Sequence, residues 1–283
     1  MHAFENQLKT LALLGAMTTL ILALGSWVAP RQMPIFLLIA IGMNVWAYFY
    51  SDRAVLAMHG ATELHPSQAP DLHEMVAELA ARANIPVPRL FYIAEDQPNA
   101  FATGRNPEHG VVAVTDGIVR MLDPRELRGV LAHEIAHIAN RDILVSTIAA
   151  IGASILTSVA QSAGFAFMRG DDDEDGVPAG AGFLLTLVAP LAATLVQMGI
   201  SRTREYLADD LGAQISGDPE ALASALWKLE QAAHTIPMHA MRPATASLFI
   251  VNPGGAFEAI ARWFSTHPST EERVQRLMAM RGD

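Results

Sequence analysis

No cysteine occurs in the 283 residues, which excludes a disulfide framework, a thiol nucleophile, a thiolate zinc finger and a cysteine-ligated iron–sulfur cluster. Any metal must therefore rest on His, Asp or Glu. Charge is scarce too. Only 17% of residues are charged while 51% are hydrophobic, and the mean hydropathy is +0.26, too apolar for an ordinary soluble domain. Basic residues are the scarcer sign, leaving a net charge of -10. A nucleic-acid binder needs a basic patch or stripe to meet phosphate, so that class is set aside.

What is present is organised by where charge is missing. Four gaps between charged residues are long enough for a membrane helix: 21 residues from Lys9 to Arg31, 20 from Arg31 to Asp52, 26 from Asp142 to Arg169 and 26 from Asp175 to Arg202. A span needs about 20 mainly apolar residues at 1.5 Å each. The first gap exceeds a signal-peptide core and a second span follows at once, which favours an uncleaved helix. The third and fourth hold several Gly, Ala and Ser, which suit close packing in lipid and equally suit a soluble helical hairpin. Four spans would put the N-terminus and both charged segments on one side. That side is flanked by Lys9, Arg53, Arg141, Arg202 and Arg204, against Arg31 and Arg169 on the other, which makes it cytoplasmic. The loop Asp171, Asp172, Asp173, Glu174, Asp175 lacks EF-hand spacing and reads as a solvated connector.

Between the second and third gaps, Leu72, Met75, Val76 and Leu79 repeat at helical spacing. A short strand at 90–94, the stretch 99–104 and a β-rich run at 111–115 follow, the last closed by Asp116-Gly117, a turn signal. A new helix then starts at Asp123, with Pro124 at its first position and Glu126 where a capping-box acid belongs.

That helix carries His133-Glu134-Ile135-Ala136-His137. Histidines at i and i+4 project from one helix face, as ligands of one tetrahedral zinc must, and Glu134 lies beside that face as a general base for an activated water. Two surface histidines on a helix are the bland alternative. A catalytic site needs a third protein ligand, and no His follows at 140 or 143, which are Asn140 and Ile143. Glu205 is the best candidate ligand, with Asp209 one turn later to orient a ligand histidine. An exposed charge face of Arg204, Glu205 and Asp209 is the alternative there.

Four ordered stretches then resemble one family: HEIAH at 133–137, SRTREYLAD at 201–209, NAFATG at 99–104 and STHPSTEERVQRL at 265–277. The chain resembles the HtpX family of membrane-integrated zinc endopeptidases, related to the CAAX prenyl endopeptidases. The resemblance implies a gluzincin with one zinc on His133, His137 and Glu205, Glu134 as base, and cleavage of misfolded or damaged membrane proteins at the bacterial inner membrane. It places Asn99 and Ala100 on an edge strand that could pair with an extended peptide, where a simple turn is the alternative for Asn99. His267, with Pro268 and Arg273, matches a family pattern in which the histidine either donates to the oxyanion or caps the last helix.

The expected fold is a mainly α integral membrane protein with four transmembrane helices and a cytoplasmic α+β zincin-type protease domain. Residues 1–51 would hold two spans, 52–142 the protease segment with HEIAH, 143–201 a membrane hairpin with the acidic outer loop, and 202–283 the protease segment with the third ligand. Expected partners are unfolded or membrane protein substrates and the lipid bilayer, with no nucleic acid. The rival functions are a dedicated CAAX-type processing peptidase and a non-catalytic zinc-binding membrane scaffold.

Overall fold

The computed structural model describes residues 2–155, 202–236, 238, 245, 248–251 and 268–280. Two long helices lead the chain, α1 (His2–Val28) and α2 (Met33–Met58), packed on one another. Among the described residues one helix, Pro30–Met58, is long and apolar enough to cross a membrane, with a mean hydropathy of 1.6 in its most apolar stretch. The fourth hydrophobic stretch and the acidic loop lie outside the described residues.

A four-stranded sheet follows, in the order β1 (Thr62–Glu63), β2 (Arg89–Ile93), β4 (Val111–Thr115), β3 (Ala100–Thr103). β2 and β4 are parallel, and the two outer pairings are antiparallel. Every residue of β4 is buried, because the sheet is covered on both faces. Leu90, Ala100, Ala102, Val112 and Val114 join a core with α3 (Pro70–Arg82) and the later helices. Phe91, Phe101, Val111 and Ala113 meet Val55 and Leu56 at the end of α2. The apolar helix α2 therefore runs directly into the underside of the sheet.

Asp116-Gly117 does not close β4 with a turn. It opens the short helix α4 (Asp116–Met121), with the Thr115 side chain accepting from the Ile118 N–H as its cap. A Cβ on Gly117 would stand 2.0 Å from the Asp96 carbonyl oxygen, so only glycine lets this helix start against the preceding loop.

The central helix α5 (Pro124–Asn140) begins with the capping box read from sequence. The Asp123 side chain accepts from the Arg125 and Glu126 N–H groups at 2.8 and 3.0 Å, and Glu126 accepts from the Asp123 N–H at 3.1 Å. Glu126 also accepts from Ser224 and Lys228, each at 2.7 Å. These two residues lie on α8 (Pro219–Thr235), which packs on α5 after α7 (Arg202–Ser216). Burial alone would raise the Glu126 carboxyl, but Lys228 and Ser224 outweigh it and hold it below its ordinary 4.5. A depressed carboxyl contributes stability above its unfolded value, and that stability is lost as pH falls through the folded one. Glu126→Ala is expected to cost about 1–2 kcal/mol at neutral pH, and the difference from wild type should shrink in acid. Urea unfolding at neutral pH and well below the ordinary carboxyl value measures both.

α5 ends at Arg141, which takes the left-handed conformation at φ 56°. The chain then turns by 93° into α6 (Ile143–Ile155). After α8, Met238, Thr245 and the segment Leu248 to Val251 are buried, and the last described helix is α9 (Thr270–Ala279).

Candidate metal centre

α5 and α7 bring the predicted ligands together. His133 and Glu134 are fully buried and His137 is partly open on α5, while Glu205 lies on the first turn of α7. Glu205, Ala208, Asp209 and Gly212 are all buried along one face of α7, the spacing of a helix stripe packed on a partner. A Cβ on Gly212 would come within 3.0 Å of the His133 Cα and N, so this glycine lets the two ligand helices approach. Arg204, Glu205 and Asp209 are 8%, 7% and 1% exposed, which removes the surface-face alternative.

The donor atoms converge. The Nε2 atoms of His133 and His137 are 3.1 Å apart. Glu205 places one oxygen 3.8 Å from His133 Nε2 and the other 3.8 Å from His137 Nε2. A tetrahedral ion with ligand bonds of about 2.0–2.1 Å spaces its donors about 3.3 Å apart, so the set fits one such ion with a small inward move of Glu205. The three residues form a group able to hold a metal, with all ligand atoms within 4.8 Å of one another.

Both histidines are backed by carboxylates on their far nitrogens. His133 Nδ1 lies 2.9 Å from Asp209 Oδ1, the partner that sequence spacing assigned to a ligand histidine. His137 Nδ1 lies 3.1 Å from each oxygen of Asp142, a contact that sequence reading missed. These bonds commit the Nδ1 atoms and turn both Nε2 atoms to the site. Burial lowers His133 despite Asp209. Burial would lower His137 as well, but Asp142, then Glu205 and Glu134, push it up to about 10. A metal on Nε2 would compete with protonation of this ring, so metal uptake would depend on pH.

Glu134, beside this pair and 2% exposed, accepts a hydrogen bond from the Ala102 N–H of β3. Burial pushes its carboxyl up to about 7, with Glu205 adding to the rise against the lowering effect of His137. A group that must take up and return a proton works best near the operating pH.

Arg273 of α9 completes the surround, and no functional role for it was read from sequence. It is 2% exposed and grips Asp209 with Nε and Nη2 at 2.8 and 2.7 Å, while Nη1 donates to the Ile250 carbonyl at 3.0 Å. Burial alone would raise the Asp209 carboxyl, but the Arg273 guanidinium holds it well below the usual carboxylate range.

Asn99 and Ala100 lie at the start of β3, both buried. Asn99 O accepts from the Thr115 N–H, so by antiparallel alternation Ala100 and Ala102 turn their backbone groups away from β4. Ala100's carbonyl accepts from the Ile250 N–H at 3.1 Å, and the Asn99 amide donates to the Val251 carbonyl at 2.9 Å. The edge is therefore engaged by a later stretch of the same chain. His267 lies outside the described residues.

An HExxH helix completed by a glutamate from a later helix is the arrangement of a metallopeptidase of the gluzincin class. Similarity narrows this. A family model described as Peptidase family M48 matches residues 66–281, and the chain belongs to that family. It is 51% identical over 282 residues to Protease HtpX homologs of Burkholderia mallei (strain SAVP1) and Burkholderia pseudomallei (strain 668), with 97% of each chain covered. Its fold is similar to the crystal structure of S. mikatae Ste24p, with a TM-score of 0.52 and 21% identity over 97% of this chain and 66% of that one. The protein is thus a membrane-bound metallopeptidase.

Proposed function

We propose that this chain is a zinc-dependent endopeptidase of the bacterial inner membrane that cuts misfolded or damaged membrane proteins. The observation that carries the reading is the convergence of two carboxylate-backed histidines, Glu205 and a buried Glu134 beside the sheet's outer strand. His133, His137 and Glu205 would hold one zinc per chain, which would supply a Lewis acid at this site. Glu134 takes the proton of the attacking water and returns it to the leaving amine nitrogen as the C–N bond breaks. An extended substrate pairs with β3, with Asn99 and Ala100 exchanging their bonds to Val251 and Ile250 for bonds to the peptide.

Four spans and a cytoplasmic protease domain with both termini complete the proposal. Ile35, Leu38, Ile41, Val45 and Phe49 of α2 are exposed, as side chains facing lipid would be. Leu13 and Met17 of α1 pack on Val145, Ile148 and Ala149 of α6, a contact that supports a first span lying beside the start of a third. The charge-flank asymmetry around Lys9, Arg53, Arg141, Arg202 and Arg204 supports the orientation.

The test uses the full chain in detergent with unfolded casein, an unfolded membrane protein and one prenylated peptide as substrates. Expected are about one zinc per chain, cleavage of both unfolded proteins, loss of cleavage in a chelator and its return on adding Zn2+. Cleavage of the prenylated peptide alone would favour the processing-peptidase reading, and activity indifferent to the chelator would sink the metal-dependent one.

A further inference from the structure

We propose that Asp142 is a positioning residue for the metal site, and that through it the helix α6 sets the aim of His137. The inference rests on the metallopeptidase reading of His133, His137 and Glu205. Four observations carry it.

Asp142 is 2% exposed, and both of its carboxylate oxygens reach the same His137 nitrogen at 3.1 Å. A buried carboxylate spent in this way fixes the ring's rotation and selects the tautomer whose Nε2 faces Glu205. His133 has the same support from Asp209, but the two supports come from different places. Asp209 belongs to α7 and is held by Arg273. Asp142 belongs to the corner between α5 and α6.

The corner is specific. The left-handed conformation of Arg141 is uncommon for a residue with a side chain, and it swings residue 142 back toward the helix just ended. The Asp142 N–H lies 3.4 Å from the His137 carbonyl, so backbone and side chain of Asp142 both fold onto His137. The Asp142 carbonyl accepts from the Ser146 N–H at 3.3 Å, which makes Asp142 the first residue to accept an α6 bond. Its position is thereby tied to α6 as firmly as to α5.

The corner is also braced. The Asn6 amide of α1 donates to the Asn140 carbonyl at 3.3 Å, and Thr147 of α6 bonds Thr103 of β3 at 2.9 Å. α6 packs on α1 through Val145, Ile148 and Ala149. The apolar helices therefore fix the direction in which α6 leaves the domain, and that direction places Asp142 against His137. A ligand histidine is pre-organised by the membrane part of the chain through one side chain.

A residue at the start of a helix can also act as a cap, and substitution separates the two roles. Asp142→Ser keeps a good N-cap for α6 but is too short to reach His137 Nδ1. Asp142→Asn keeps an acceptor at that reach, and Asp142→Ala removes both. The experiment measures metal affinity of the full-length protein in detergent by chelator competition, the visible spectrum of the Co2+-loaded protein, and thermal unfolding of the metal-free protein. Asp142→Ala and Asp142→Ser are expected to weaken metal binding by about 10–100-fold and to alter the Co2+ spectrum. Asp142→Asn should lose less than about tenfold, and metal-free Asp142→Ser should unfold with wild type. A capping role alone predicts Asp142→Ser at wild-type affinity and spectrum, and that result overturns the proposal. Equal losses for Asn and Ser overturn it too. If the wild type itself takes up no metal, the metallopeptidase reading fails first, and that failure is distinguishable because it appears without any substitution.

Discussion

Glu134→Gln is expected to lower kcat by about 10²–10⁴-fold, the span that a positioned proton-transfer group contributes, while the protein still binds its metal. Glutamine matches the carboxylate in size and retains an oxygen for the Ala102 N–H, so the bond that aligns residue 134 with β3 survives. What disappears is the capacity to take a proton from water. The ligand set at His133, His137 and Glu205 does not include residue 134, so metal content should be unchanged. Stability should not suffer either. Burial disfavours the ionised carboxyl and raises it from an ordinary 4.5 to about 7. An acid raised by folding costs stability as pH climbs from its unfolded value through its folded one, because the folded protein must then carry a buried charge. The neutral amide escapes that cost, and metal-free Glu134→Gln should unfold no earlier than wild type at slightly alkaline pH. Activity, metal analysis and thermal unfolding on one preparation decide the matter. If the variant cuts as fast as wild type, Glu134 is not the base and the scaffold reading returns; if it loses metal as well, the loss of activity says nothing about proton transfer.

What could be read from the chain follows the range over which each interaction acts. The α5 capping box and HExxH were legible because Asp123, Glu126, His133, Glu134 and His137 act within one or two turns of one helix. Glu205 and Asp209 were legible as a spacing, although their partner helix was not. That α7 lies against α5 depends on Gly212 standing beside His133, a contact between residues far apart in sequence. Asp142 served in the sequence only to mark the edge of an uncharged gap. Its role appears only once the left-handed turn at Arg141 folds it back, and no periodicity signals such a turn at an arginine. β4 reads as a run of Val and Ala rather than an alternation because both faces of the sheet are covered. Asp116-Gly117 misled for a related reason. The glycine is needed for a close approach to the Asp96 carbonyl, not for a reversal of the chain.

Arg273 teaches the same lesson with a larger consequence. Arg273→Leu is expected to destabilise the metal-free protein by about 3–5 kcal/mol, the usual cost of leaving one partner of a buried ion pair behind. The deserted partner is Asp209, 1% exposed, which would be left with His133 Nδ1 as its only hydrogen-bond donor among the described residues. Arg273→Lys should fall between, since an ammonium cannot supply the paired Nε and Nη2 bonds that the guanidinium makes and would release the Ile250 carbonyl. The decisive comparison adds Asp209→Leu and the double variant. Two leucines leave neither member of the Arg273–Asp209 pair stranded, although Glu205, 3.9 Å from Arg273 Nη1, loses that neighbour in both Arg273 variants, so the double variant should lose less than the sum of the singles, by about 1–3 kcal/mol. Denaturant unfolding of the four metal-free proteins measures the coupling. Additive losses would mean that Arg273 acts through packing alone. A coupled loss would mean that α9, at the far end of the chain, keeps Asp209 charged and in place, so that one ligand histidine is aimed from the C-terminal helix while the other is aimed from the corner at Asp142.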